Sequence, residues 1–199
     1  MPDHASHDRG ILLIISGPSG AGKTTITRAV EKEFAAVFSV SMTTRPKAEK
    51  DVEGVDYHFV SREAFDAARH ENRLLEWAEV FGNFYGTPRE PVEGALERGK
   101  VVLLEIDVQG AIQVKKNMPE AFAVFILPPS EEELLNRLRR RKREEEAVIQ
   151  RRFAKARAEI QLARESGIYD AFVINDDLGV AIAETRELIE AELAARNDG

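Results

Sequence analysis

The chain has 199 residues, a formal net charge of −7 and no cysteine. The length suits one domain with room for inserted lobes, and such a chain buries about 70–75% of its unfolded surface without covalent staples. The missing cysteines exclude disulfides and thiolate metal sites, and the acid excess disfavours a broad nucleic-acid surface while leaving room for a local basic cluster around a small anion.

In chain order, Met1–Arg9 is polar and lacks the apolar centre of a secretory leader, so it reads as a disordered, solvated tail, His4 and His7 included. No later apolar run approaches the roughly 18 residues of a membrane span, and a cytoplasmic location fits. The run Ile11–Ile15 predicts a buried strand. It leads into Gly17-Pro18-Ser19-Gly20-Ala21-Gly22-Lys23-Thr24 and then a helix over Thr24–Phe34. The loop fits G-x-x-x-x-G-K-[ST], the phosphate-binding P-loop. Its glycines turn backbone N–H groups inward around phosphate oxygens, and the next helix points its positive end at the same anion. Lys23 reaches the outer phosphates and the Thr24 hydroxyl serves a magnesium ion, with Thr25 beside it.

Further apolar runs at Val101–Ile106, Phe122–Leu127 and Ala171–Ile174 are uniform rather than alternating, which predicts strands covered on both faces. Helical patterns over Pro88–Arg98, Gln109–Lys116 and Leu178–Ala195 separate them. The expected fold class is α/β, a mostly parallel central sheet flanked by helices. Two regions break the rhythm. Ser41–Thr87 is polar and aromatic and reads as an insertion with its own small sheet. Pro128–Gly167 reads as two helices joined by the charged stretch Arg137–Glu146, with Ile149, Phe153, Ala156 and Ile160 on one face of the second.

The remaining motifs are Ser41-Met42-Thr43-Thr44-Arg45-Pro46, Asp56-Tyr57, the stretch Leu75-Glu76-Trp77 through Tyr85-Gly86-Thr87, Glu105-Ile106-Asp107-Val108-Gln109-Gly110 and Asn175-Asp176-Asp177. With the P-loop, in this order and spacing, they closely resemble guanylate kinase from about Gly10 to Ile189. The resemblance implies a P-loop NTPase core (10–40, 88–129 and 168–199), a GMP-binding lobe (41–87) and a helical lid (130–167) within a domain over 10–189. It implies transfer of phosphate from ATP to GMP or dGMP, with magnesium. No nucleic-acid polymer or membrane partner is expected, and a homo-oligomer is left open.

A guanine ring presents N1–H and N2–H₂ on one edge, and a carboxylate is the natural acceptor for that pair. The resemblance puts Glu76 there, with Thr87 and Ser41 at other base contacts. Arg45, Tyr57 and Tyr85 fall at the GMP phosphate, where a guanidinium fork and two hydroxyls suit a dianion. Trp77 is assigned to packing. Asp107, at a strand end, is a base contact by resemblance, and Glu105 or Asp107 can organise magnesium through water. Arg137, Arg141 and Arg152 match lid arginines that reach ATP phosphates, and Lys23, Arg45, Arg141 and Arg152 are the expected catalytic set. Asn175 matches the adenine-side contact, with a turn-forming Asn the open alternative.

The chain leaves the family pattern twice. After Thr43-Thr44-Arg45 the family has approximately P-P-R-P-G-E, whereas here Ala48 stands where a second phosphate-binding arginine is expected and Asp51 replaces a glutamate. Lys47 or Lys50 is left as a point charge nearby. The lid has Arg140-Arg141-Lys142 where the family commonly has G-R-G. Two rivals stay open at this point: a P-loop kinase for a phosphorylated sugar, against which Glu76 and Thr87 argue, and a non-catalytic guanylate-kinase-like protein-binding module, against which the intact Lys23 and Thr24 argue.

Overall fold

A computed structural model describes residues 10–140 and 145–197. The tail 1–9 and the lid residues Arg141, Lys142 and Arg143 lie outside the described residues. The elements run β1 (Ile11–Ser16), α1 (Lys23–Glu33), β2 (Val37–Phe38), β3 (Met42–Thr43), β4 (His58–Phe59), α2 (Arg62–His70), β5 (Leu74–Val80), β6 (Asn83–Pro88), α3 (Arg89–Glu97), β7 (Val101–Glu105), α4 (Val108–Asn117), β8 (Phe122–Leu127), α5 (Glu131–Arg140), α6 (Glu146–Ser166), β9 (Ala171–Ile174) and α7 (Leu178–Asn197).

Five strands form the central sheet in the order β2-β7-β1-β8-β9, and each described pairing in it is parallel. The uniform apolar composition of β1 has a direct cause. Ile11, Leu13 and Ile15 point into one core with Ile26 and Val30 of α1 and Ala181 and Ile189 of α7. Leu12 and Ile14 point into a second core with Val92 of α3 and Ala111 and Val114 of α4. A strand alternates faces with period two, so a strand buried on both needs apolar residues throughout.

The expectation of two covered faces fails for Ala171–Ile174. β9 is the edge strand, and Ile174 is 55% exposed while Val173 is buried. Strand residues alternate faces, so one face of β9 is covered by α7 through Val173 and the other is open at Ile174, whatever the run's uniform apolar composition suggests. The Asp170 carboxylate ties this edge in, accepting from the Ala123 N–H at 2.7 Å and pairing with Lys115 at 2.8 Å.

The inserted region folds as the second sheet that its composition suggested, ordered β4-β3-β6-β5, with α2 packed on it through Phe65 and Ala68. β5 and β6 form a hairpin whose turn residues Phe81 and Gly82 both have positive φ, 50° and 79°. That pair of dihedrals matches the strand twist of a two-residue hairpin loop. In the other irregular region, Leu134 and Leu138 of α5 meet Ile149, Phe153, Ala156 and Ile160 of α6, the face read from the sequence.

Phe125 is fully buried at the junction of β8, α4 and α6, against Val108 and Ala163. Phe125→Ala should cost about 3–5 kcal/mol through lost burial and the cavity left behind. Urea titration of the variant should show a lower midpoint at unchanged slope.

Candidate active site

In a parallel sheet the loops that leave the carboxyl ends of the strands converge on one rim, and ligands bind there. Here that rim carries the P-loop from β1, Glu105 and Asp107 from β7, and Asn175 after β9. The loop lies very close to the sheet. A side chain at Gly17 would put its Cβ 2.4 Å from the Ile126 carbonyl oxygen. Gly22, with φ +90°, precedes α1 and offers no side-chain cap. The first-turn N–H groups of α1 therefore face a hollow of about 170 Å³ lined by Ser19, Gly20, Gly22, Lys23, Thr24 and Thr25. Uncapped helix N–H groups and the helix dipole together suit an anion. By contrast, Ser61 caps α2 and Asp107 caps α4.

Lys23 Nζ donates to the Gly17 carbonyl at 2.5 Å and to Pro18 at 3.2 Å, which holds the ammonium against the loop. The Thr24 hydroxyl donates to Glu105 Oε1 at 3.1 Å. Two hard oxygens thus converge beside the hollow, a donor set that suits magnesium, which takes one or two protein oxygens and leaves the rest to phosphate and water. Asp107 is instead committed to α4, where Oδ1 accepts from the Gly110 N–H at 2.9 Å. Of the two acids named from sequence, Glu105 is the one in contact with Thr24.

Asn175 is 4% exposed, and its Nδ2 donates to the Ala21 carbonyl at 2.7 Å. Its side chain is spent on the underside of the loop, so its visible work is to seat the P-loop on the sheet. Its own carbonyl accepts from Arg137, which also pairs with Glu133 at 3.0 Å. Arg152 of α6 reaches across 133 residues of sequence to donate to the Ser19 hydroxyl at 2.6 Å. Two of the three lid arginines therefore meet the loop or its support, while Arg141 lies outside the described residues.

The acceptor-side candidates gather on the second sheet. Glu76 and Thr87 are cross-strand partners in β5 and β6, and the Thr87 hydroxyl donates to Glu76 Oε1 at 2.6 Å. Glu76 is only 8% exposed. Its other oxygen lies over Gly110, where an added Cβ would approach to 3.2 Å. Burial pushes the Glu76 carboxyl above the usual range, hydrogen bonding from Thr87 opposes this, and the Asp107 charge adds to the rise.

Arg45, Tyr57 and Tyr85 form one cluster. The Arg45 guanidinium lies 5.4 Å from the Tyr57 ring centroid and 5.5 Å from that of Phe59, and Tyr57 meets Tyr85 edge-on at 5.7 Å. Arg45 also pairs with Asp51 at 2.9 Å. Asp51 accepts from the Ala48 N–H at 2.7 Å, and that bond, followed by the Arg45 guanidinium, holds its carboxyl below the usual range. Ala48 itself is exposed, so the missing arginine leaves open space beside Arg45. Ser41 lies just before β3 and accepts at its carbonyl from the His58 N–H at 2.9 Å. Trp77 packs edge-on against Phe84 at 6.0 Å and under Arg69, as its assignment to packing expected.

Three contributors escaped sequence reasoning. Glu159 of α6 lies within electrostatic reach of Lys23 and Asp107, and burial raises its carboxyl despite Lys155. Gln113 and Asn117 of α4 bond to the main chain of β5 on either side of Glu76. Their spacing of four placed two amides on one helix face, which was the available signal. A larger hollow of about 940 Å³ opens at the amino ends of the strands, near Gly10, Met118 and Arg196. On its rim Lys115 pairs with Asp170 at 2.8 Å and Arg196 with Glu192 at 2.7 Å, and the residues that line it include no helix start.

No helix among the described residues is long and apolar enough to cross a membrane. The guanylate kinase family model matches residues 9–192. A guanylate kinase of Agrobacterium fabrum is 47% identical over 191 residues, 95% of this chain and 86% of its own. One from Thermus thermophilus is 47% identical over 184 residues, 92% of this chain and 82% of its own. The crystal structure of guanylate kinase from Anaplasma phagocytophilum matches with a TM-score of 0.68 at 34% identity, covering 94% of this chain and 87% of that one. The family model spans most of the chain, and relatives near half identical across it agree with the two-sheet architecture: this chain belongs to the guanylate kinase family.

Proposed function

We propose that this protein transfers the γ-phosphoryl group of ATP to the phosphate of GMP or dGMP, producing ADP and GDP or dGDP. The observation that carries the reading is the buried Glu76 carboxylate, braced by Thr87 and fixed over Gly110. A buried acceptor built for a donor pair rejects a base that lacks those donors far more strongly than an apolar pocket rejects a methylene. Ser41 and Asp107 complete the base site, and Arg45, Tyr57 and Tyr85 take the GMP phosphate.

Gly17–Thr25 wrap the ATP phosphates, Arg137, Arg141 and Arg152 serve to neutralise their charge, and Asn175 keeps the loop on the sheet. The acceptor phosphate is already an anionic nucleophile at neutral pH, so positioning and charge neutralisation suffice without a general base. Lys23 and the lid arginines hold charge that spreads over the phosphoryl oxygens. Thr24 and Glu105 would hold magnesium, which neutralises phosphate charge when bound. The chain divides for this work into a core (10–40, 88–129 and 168–199), a GMP lobe (41–87) and a lid (130–167), which together exclude water that would hydrolyse ATP. The cytoplasm supplies both nucleotides.

A coupled ADP-release assay should give turnover with GMP and dGMP and little with AMP or CMP; equal turnover with AMP would sink the reading. Glu76→Gln should raise the GMP Michaelis constant by about tenfold or more. The same change should stabilise the ligand-free protein. A carboxylate whose pKa is raised on folding adds stability below its unfolded pKa and loses it as pH climbs through the folded one. At pH 7–8 a carboxyl whose pKa is raised on folding detracts from stability, so removing it should lift the melting midpoint. At pH 4 the gain should shrink, which differential scanning calorimetry at the two pH values would reveal. Ala48→Arg should lower the GMP Michaelis constant by one to two decades, since a charged phosphate hydrogen bond contributes about 1.5–3 kcal/mol. An unchanged or higher constant would refute the idea that the residue at position 48 weakens GMP binding.

A further inference from the structure

β5 is shared between two bodies. Leu74 is buried in the small core of the second sheet, while the next residue, Leu75, is buried in the main core against α3 and α4. Glu76 follows at once. β5 is also the edge of its sheet, so one row of its N–H and C=O groups points away from β6. Side chains of α4 take up that row. The Trp77 N–H donates to Gln113 Oε1 at 3.1 Å, and Gln113 Nε2 donates back to the Trp77 carbonyl at 3.0 Å. One turn further along, Asn117 Nδ2 donates to the Leu75 carbonyl at 2.7 Å. The residues on both sides of Glu76 are therefore bonded to the same helix, which is itself set in the core by Ala111 and Val114.

We propose that Gln113 is a positioning residue for base selection: by clamping the main chain of Trp77 to α4, it holds the Glu76 carboxylate in the frame of the core rather than that of the lobe. The inference rests on the reading of Glu76 as the guanine acceptor. A primary amide suits the task because one planar, uncharged group supplies both a donor and an acceptor to an exposed strand edge. Glutamate could serve only the N–H, lysine only the carbonyl, and an aliphatic side chain neither. The precision matters, because an error of about 1 Å in a recognition group can cost on the order of a hundredfold. Arg45 and Tyr57 sit in the connections beside β3 and β4, while Tyr85 lies on β6 next to Gly86, the cross-strand partner of Trp77.

The test compares the full-length wild type with Gln113→Ala, Glu76→Gln and the double variant, using GMP and IMP as acceptors. IMP lacks the exocyclic amine and so reports on Glu76. Gln113→Ala should raise the GMP Michaelis constant and lower the preference for GMP over IMP, each about tenfold, with the ATP constant within about twofold of wild type. In the Glu76→Gln background the same change should alter the preference by less than about twofold. If Gln113→Ala lowers kcat for both acceptors with the preference intact, or if its effect on preference persists in the Glu76→Gln background, Gln113 merely supports the fold and the proposal is wrong. Gln113→Met retains the side chain's bulk without its hydrogen bonds; should the alanine variant unfold, the same comparison made with methionine decides. Wild-type protein that does not turn over GMP would overturn the functional reading instead, an outcome distinct from a wild type with normal preference and variants that keep it.

Discussion

The pairing of β1 between β7 and β8 sets the position of each group on the donor side. Because these strands run parallel, their carboxyl ends share one rim, and the P-loop, Glu105, Asp107 and Asn175 emerge together there. The loop is not draped loosely over that rim. It lies so close to β8 that only glycine fits at position 17, and the Asn175 amide fastens it from below. A phosphate cradle made of backbone N–H groups is only as accurate as the backbone is fixed. The two-sided burial of β1 is therefore part of the site's chemistry as well as its stability.

The cations assigned to phosphates are already engaged inside the protein. Lys23 is on loop carbonyls, Arg45 on Asp51, Arg137 on Glu133 and the Asn175 carbonyl, and Arg152 on Ser19. Under the proposed function, phosphate binding would exchange one set of hydrogen bonds for another. Net gains from such exchanges are smaller than the isolated contacts suggest. Glu76 differs, since burial disfavours its charged form and the ligand's donors would relieve that cost. In the proposed reading, selectivity rests on a group whose charged form the fold disfavours.

The core was legible where one physical pattern dominated. The runs Phe122–Leu127 and Ala171–Ile174 coincide with β8 and β9, and the glycine-rich loop sits between β1 and α1 as its motif requires. The sequence did not delimit β2, β3 and β4, because two-residue strands have no period to read, nor reveal α2, which lay inside a polar, aromatic stretch read as an insertion with its own small sheet. The edge position of β9 was also hidden. Apolar composition reports a preference for burial, whereas the neighbour that would provide it is chosen by the whole chain.

By itself the sequence determined the chemistry available: a P-loop lysine and threonine, a carboxylate and a threonine eleven residues apart, an arginine and two tyrosines, and a run of arginines. Those are local facts, set by residue type and spacing. Only the tertiary structure decided which of them meet. It put Thr24 against Glu105 rather than Asp107, turned Asn175 under the loop, and brought Gln113 to the main chain beside Glu76 across 36 residues of sequence. Such contacts join elements distant in sequence, and their geometry follows from how the two cores and the second sheet pack, which residue spacing does not encode.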